Sequence, residues 1–337
     1  MVMPRLRIGV VGVGHFGRYH ALKVAASERA ALVGVHDSNE ERAKTIGWEV
    51  GAPDLGFDAL LDAADALIIA APAEMHHALA AAALRAGKHV LVEKPIAATL
   101  AEADDLAALA AAGRRVLQVG HLERFSAAHA ALAGRLGAPL YIEAARVAPF
   151  KSRGTDVSVI LDLMIHDLDL ILALVASPIE SVDAVGAAVA SPHEDIANAR
   201  IRFVNGAVAT ITASRVSPRT ERRMRIFARD GTLAIDFANR HLTVVARDRG
   251  QPVPGVAGFG IEETSWEDHD SLAAEHAAFI ASVLNGAPVV VDAAAGRRAL
   301  DAALQVMASM ANSRARMTAS GLLDLTRDTD PHPAQRN

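Results

Sequence analysis

Short, unbroken apolar runs alternate with helical stretches through the first third of the chain. The runs are RIGVVGV (Arg7 to Val13), ALVGVHD (ending at Asp37), ADALIIAAP (Ala64 to Pro72), KHVLVEKP (Lys88 to Pro95) and RVLQVGH (Arg115 to His121). Continuous rather than alternating hydrophobicity predicts parallel strands covered on both faces. Between them, RYHALKVAASERA, HHALAAAALRAG and TLAEADDLAALAAAG predict helices. The second stops at Gly87, and Thr99 with Glu102 suits a capping box opening the third. This rhythm predicts an α/β unit over residues 1–122, a doubly wound parallel sheet with its ligand beyond the carboxyl ends of the strands. Asp37, Pro72, Glu93, Lys94 and His121 sit at such ends and would face one crevice.

After His121 the rhythm breaks. LERFSAAHAALAGRLG predicts a helix and PLYIEAARVAPF a strand. Then IESVDAVGAAV, IANARIRFV, AVATITASRV, RRMRIFAR, GTLAIDF and RHLTVVAR follow as strand-like runs. Asn205-Gly206 and Asp230-Gly231 are hairpin signals between them. Two late helices are expected, the second near 292–313 and packing back on the first unit. Residues 123–325 therefore predict an α+β domain with a large, mostly antiparallel open sheet, and 326–337 a frayed tail. The free face of that sheet needs a cover, which points to a homodimer or homotetramer.

One stretch stands apart: LDLMIHDLDL, Leu161 to Leu170. It lies in a predicted buried helix, 157–175, with Thr155 or Asp156 as N-cap. Asp162, His166 and Asp169 share one face of it, whereas Asp167 points elsewhere. Buried charge is costly unless paired or used. Either these groups satisfy each other or they line a reactive cleft.

Composition narrows the field. The net charge of −5 gives no reason to expect nucleic acid or a membrane surface as partner. No apolar run approaches the ~20 residues of a membrane span. The basic, apolar start MVMPRLRIGVVGVG is short and glycine-punctuated, so it reads as a first strand rather than a signal peptide. With no cysteine in the chain, disulfides, thiolate metal sites and a cysteine nucleophile are excluded, which fits a cytoplasmic location.

Gly12-Val13-Gly14-His15-Phe16-Gly17 fits G-x-G-x-x-G, follows a strand and opens a helix, with Asp37 standing 20 residues beyond Gly17. That context makes it a dinucleotide fingerprint. Gly12 permits the turn, Gly14 admits the pyrophosphate, and Gly17 lets helix and strand pack. Asp37 would accept the ribose hydroxyls and repel a 2′-phosphate; no arginine adjoins it, so NAD is favoured over NADP. His76 is a candidate contact to the cofactor, and His77 a surface group. If the 157–175 helix fronts the nicotinamide, Asp162 and His166 project towards Lys94. His166 would take a hydroxyl proton, Lys94 would stabilise the developing alkoxide, and Asp162 would orient one of them. A structural polar patch and a metal pair lacking further ligands stay open as alternatives; no metal site is assigned.

These residues resemble the Gfo/Idh/MocA oxidoreductases over nearly the whole length, through GVGHFG, Asp37, AAPAEMHH, GKHVLVEKP, GHLERF and the Asp162-to-His166 spacing. The resemblance implies a Rossmann domain, an open-sheet domain serving oligomerisation, bound NAD, and Lys94, Asp162 and His166 as catalytic residues. Ala71 departs from the family's frequent threonine or asparagine before Pro72, where the backbone makes much of the cofactor contact. More narrowly, RGTDVSVILDLMIHDLDL and DIANARIRFVNGAVATITASRVSPRTERRMRIFARD resemble a group that oxidises the 3-hydroxyl of UDP-N-acetylglucosamine. A PLP-dependent aminotransferase then acts on the keto sugar, toward lipid A. In that case Arg146, Lys151 and Arg153 would hold the diphosphate and Arg124 would reach substrate. Arg215, Arg219, Arg222, Arg223 and Arg225 form a basic cluster better suited to a solvated or interface face. The rivals are a free polyol such as an inositol as substrate, and an NAD-sensing regulator without turnover.

Overall fold

The apolar runs pair as five parallel strands, with a register shift between Ile8 and Gly9 in the first pair: β1 (Leu6–Val11), β2 (Ala30–His36), β3 (Ala66–Ile69), β4 (His89–Glu93) and β5 (Leu117–Gly120). Their order is β2-β1-β3-β4-β5. Every residue of β3 is buried, as an unbroken apolar run covered on both faces requires. The covering helices are α1 (His15–Ala25), α2 (Glu40–Val50), α3 (Phe57–Ala63), α4 (Ala73–Arg85) and α5 (Leu100–Gly113). Thr99 and Glu102 form the expected capping box. Strand order reverses between β1 and β3, which opens a crevice at their carboxyl ends. The computed structural model describes residues 5–323 except 133, 152–154, 156 and 268. Asp156 as a helix cap, Arg153 and the tail from 326 therefore lie outside the described residues.

The helix expected after His121 is two short pieces, a 3-10 turn (Leu122–Phe125) and α6 (Ala127–Leu132). Ser126 divides them, its hydroxyl accepting from His129 N at 3.1 Å as a helix N-cap. Then come β6 (Pro139–Val147), α7 (Ile165–Val175), β7 (Ile179–Ala187), β8 (Ile196–Phe203), β9 (Val208–Ser214), β10 (Glu221–Ala228), β11 (Gly231–Asp236), β12 (His241–Arg247), β13 (Gln251–Pro252) and β14 (Phe259–Ser265). They make a nine-stranded sheet in the order β13-β14-β12-β11-β10-β6-β9-β8-β7. Only β6 and β9 run parallel; the other pairs are antiparallel. Gly206 turns the β8–β9 hairpin with φ 88°. At Asp230-Gly231 the expectation shifts by one residue. The link is Arg229-Asp230, and Gly231 already pairs with Ala228. Glycine is needed there for close approach, since a Cβ would meet Val245 O at 2.3 Å.

Two helices close the described chain, α8 (Ser271–Asn285) and α9 (Ala293–Ala319). α7 and the later half of α9 cover one face of the nine-stranded sheet, with Leu168 and Ile171 beside Ala303, Val306 and Met310. Packing back on the parallel sheet begins earlier than the 292–313 helix. Phe279 and Ile280 of α8 join Ile8, Val10 and Leu91, and Ala295 and Leu300 of α9 join Val90 and Val119. The sheet's other face is polar, with Glu143, Thr210, Thr212, Arg223 and Arg225 along a shallow groove.

The 157–175 stretch is not one α-helix. Ile160–Met164 forms a π-helical turn that runs into α7. Ser158 supplies capping oxygens there: its carbonyl accepts from Leu161 N and Asp162 N, and its hydroxyl from Ile160 N. Such a turn widens the backbone ladder and is frequent at functional sites.

Candidate active site

The loop between β1 and α1 separates two kinds of glycine. Gly12 has φ 80°, and a Cβ on it would lie 2.6 Å from Ala71 N. A Cβ on Gly17 would lie 1.7 Å from Gly12 O. Both are therefore dictated by the fold. Gly14 has an ordinary φ of −65°, and a Cβ there would meet nothing within 4 Å. Nothing among the described residues demands glycine at 14; a pyrophosphate lying against the helix N-terminus would. His15 and Phe16 are exposed on the first turn of α1, the imidazole edge-on to Phe16 and Tyr19. Asp37 is nearly buried and held by Val13 N and Asn39 N, each donating at 2.9 Å. No arginine adjoins Asp37 in the sequence, but the fold brings one to it. Arg42, one turn into α2, lies 3.3 Å from its carboxylate. These residues fit a dinucleotide. Gly14→Ala is expected to weaken NAD binding at least about tenfold without altering the unfolding temperature. Gly17→Ala is expected to destabilise the fold by about 1–3 kcal/mol. Titration with NAD alongside thermal unfolding distinguishes the two; equal behaviour would contradict the assignment of Gly14.

At the end of β4 two neighbouring side chains diverge. Glu93 turns to α1, where its Oε1 lies 2.8 Å from His20 Nε2. Burial opposes its ionisation, but the hydrogen bond from His20 and the charge of Lys94 outweigh this and hold its pKa below the usual carboxylate value. Lys94 reaches the other way. Its ammonium donates to Leu161 O at 3.2 Å and Asp162 O at 2.9 Å, both in the π-helical turn, and lies 4.0 Å from Asp162 Oδ1. The sequence's structural alternative, a Glu93–Lys94 side-chain pair, is not formed. Burial lowers the Lys94 pKa against the pull of Asp162 and Glu93.

His166 follows on the first turn of α7, partly buried, with Nδ1 lacking any hydrogen-bond partner. Burial, then the charges of Lys94 and Arg146, drive its pKa well below the ordinary imidazole value. It is a neutral base beside a cation. His121, at the end of β5, is 1% exposed, and neither ring nitrogen has a partner. The structure thus brings Lys94, Asp162, His166 and His121 to one place, fed by the carboxyl ends of β4 and β5. Protons can be taken up there and negative charge stabilised.

Other expected site residues are placed differently. Arg146 is buried and bidentate to Asp167 (3.0 Å each), with Glu123 at 2.8 Å. Burial opposes its charge, yet the two carboxylates outweigh this and raise its pKa. It is an internal counterion, not a diphosphate ligand, because its donors are already engaged. Arg124 pairs with Asp169 at 3.5 Å and lines a cleft of about 640 Å³ behind α7, with Leu172, Ala176, Arg298 and Gln305. Lys151 is exposed. His76 is 1% exposed, its nitrogens facing Pro95 O (2.7 Å) and Ala71 O (2.9 Å). It braces the β3 and β4 ends and leaves no ring nitrogen for a cofactor. Ala71 and Pro72 sit where expected, before α4, with Ala71 N against Gly12. Arg215 is buried on Asp195 at 2.7 Å, a structural pair.

A cleft of about 210 Å³ that the sequence did not single out is lined by Leu122, Glu123, Arg222, Phe237, Arg240 and Trp266. It connects to the centre through Glu123, the partner of Arg146, and through the charge of Arg222, which acts on His166. Alternation along β10 separated Arg222 from Arg223 and Arg225. Arg240 and Trp266 come from turns whose meeting with residue 123 no local pattern announces.

The model of an oxidoreductase family with an NAD-binding Rossmann fold matches residues 6–121, and that of the GFO/IDH/MocA C-terminal domain matches 125–234. The UDP-N-acetylglucosamine 3-dehydrogenase of Acidithiobacillus ferrooxidans is 44% identical over 307 residues, 90% of this chain and 97% of that protein. A solved structure of that enzyme, GnnA, superposes with a TM-score of 0.85 at 44% identity over 91% of this chain and 98% of its own. The scyllo-inositol 2-dehydrogenase (NAD(+)) of Bacillus subtilis strain 168 is 29% identical over 314 residues, 86% of this chain and 89% of that protein. A scyllo-inositol dehydrogenase from Lactobacillus casei, solved with NAD(H) and scyllo-inositol, shares the fold with a TM-score of 0.76 at 22% identity, over 92% of this chain and 98% of its own.

Proposed function

The chain belongs to the Gfo/Idh/MocA family, NAD-dependent oxidoreductases acting on CH–OH groups, and from this we propose that it oxidises the 3-hydroxyl of UDP-N-acetylglucosamine to the 3-keto sugar. One observation carries the chemistry. Lys94 crosses from β4 to the π-helical turn and stands as a cation near a neutral, partly buried His166. NAD, when bound, supplies the hydride acceptor. Gly12, Gly14 and Gly17, with the α1 N-terminus, would hold its pyrophosphate, and Asp37 its adenosine ribose. His166 takes the hydroxyl proton. Lys94 donates a hydrogen bond to the same oxygen and stabilises it as negative charge develops. Asp162, through its backbone carbonyl and nearby carboxylate, fixes where the ammonium sits.

The nucleotide handle is assigned to the Arg222 cleft. Two guanidinium groups suit a diphosphate, and Trp266 and Phe237 offer a ring face for the base. The 44% identity to an enzyme named for UDP-N-acetylglucosamine supports this choice over a free polyol. The reaction would run in the cytoplasm, with a PLP-dependent aminotransferase consuming the keto sugar. The open polar face of the nine-stranded sheet is where copies would pair into a dimer or tetramer.

The decisive measurement is NADH formation with UDP-N-acetylglucosamine against a panel of free polyols including inositols. Turnover of the nucleotide sugar is expected. Replacing both Arg222 and Arg240 by alanine is expected to raise KM at least about tenfold while changing kcat little, the signature of lost uniform binding. Turnover of free polyols alone would overturn the substrate and leave the oxidoreductase chemistry standing.

A further inference from the structure

Three buried side chains outside the reaction centre meet where α8 packs on the parallel sheet. His20 comes from α1, Glu275 and His276 from α8. His20 and Glu275 are 0% exposed and His276 4%. His20 Nδ1 lies 2.8 Å from His276 Nε2, and one ligand atom from each of the three residues lies within 4.8 Å of the others. Both carboxylate oxygens of Glu275 are buried without any hydrogen-bond partner. An orphaned buried carboxyl group is expensive and demands an explanation.

We propose that His20, Glu275 and His276 bind one divalent transition-metal ion, with zinc as the natural occupant. Two imidazole nitrogens and a carboxylate oxygen are a zinc donor set. The outer shell is in place behind His20, while His276 Nδ1 is buried without a hydrogen-bond partner. His20 Nε2 faces Glu93 Oε1 at 2.8 Å. That carboxylate holds the Nε2–H tautomer and directs the Nδ1 lone pair at the site, the usual arrangement behind a metal-bound histidine. A double positive charge gives the Glu275 oxygens a partner and offsets the repulsion between Glu275 and Glu93. Tetrahedral bonds of about 2.0–2.1 Å place two nitrogens about 3.3 Å apart. The rings therefore need to separate by only about half an ångström. The ion would clamp α8 to α1 and, through Glu93, to the end of β4. It touches neither substrate nor the reacting atoms, so its role is structural.

The test uses the full-length chain. Protein equilibrated with zinc chloride and dialysed into metal-free buffer is expected to retain about one zinc per chain by plasma mass spectrometry. Glu275→Gln and His276→Gln are expected to retain less than about a tenth of that. Stripping the unsubstituted chain with dipicolinate should lower its unfolding temperature, and zinc at about a hundredfold over its Kd should restore about 4 °C. A native chain that holds less than about 0.1 zinc, with an unfolding temperature indifferent to zinc, would overturn the site and leave Glu275 as a buried carboxyl group beside the His20–His276 hydrogen bond. Stoichiometric zinc retained by both variants would overturn it too, by placing the ion elsewhere. Should the variants fail to fold, the zinc content and zinc-dependent unfolding of the native chain still decide.

Discussion

His166→Ala is expected to lower kcat for sugar oxidation by roughly a hundred- to ten-thousand-fold, the usual contribution of a positioned general base. NAD affinity should stay within about twofold, since His166 lies on α7 and the dinucleotide cradle on β1, α1 and β2. Lys94→Ala should cost a similar factor, because an ammonium replaced by a methyl group leaves the developing alkoxide unsupported. The pH profile carries a second signature. His166 must be neutral to act, and burial with Lys94 and Arg146 nearby pushes its pKa well down, so the acid limb of kcat/KM should fall below the ordinary imidazole range. Lys94 must be charged, and burial pushes its pKa down too, so the alkaline limb should appear below the ordinary lysine pKa. Lys94→Ala should remove the alkaline limb and keep the acid one. Unchanged turnover in His166→Ala would eliminate the mechanism and favour a protein that senses NAD without using it.

The second large effect concerns stability. Arg146→Ala is expected to destabilise the fold by about 3–5 kcal/mol, because Asp167, buried and with its pKa already raised by that burial, loses its bidentate partner and must either stay charged or take up a proton in a dry site. The double variant Arg146→Met with Asp167→Leu should recover most of the loss, since two apolar groups replace the pair without leaving a charge behind. Denaturant unfolding of both variants measures this. The outcome also separates two roles. Were Arg146 a diphosphate ligand, its loss would raise KM and leave stability within about 1 kcal/mol of the native chain; that result would contradict its assignment as a counterion.

Lys94, Asp162 and His166 were legible as a set because each carries a local sign: a lysine closing an apolar strand before proline, and an acid and a base one turn apart in an apolar helix. The π-helical turn between them was not legible. It leaves the hydrophobic pattern unchanged, and only the approach of the Lys94 ammonium to the carbonyls of Leu161 and Asp162 reveals it. The basic residues were the least readable. Arg146, Lys151 and Arg124 looked like a cationic approach to the site, yet Asp167, Glu123 and Asp169 neutralise two of the three.

The sequence by itself determined the β1–α1–β2 dinucleotide unit, the parallel and antiparallel division of the chain, and the Asp162–His166 pair within the 157–175 stretch. Those rest on steric and periodic constraints that act within about thirty residues. Tertiary structure alone decided which charges are spent on one another. Arg146 meets Asp167 across 21 positions, Lys94 meets Asp162 across 68, and His20 meets His276 across 256. A charge's role depends on the dielectric and the partners around it, and for these residues both arrive only when distant segments fold together.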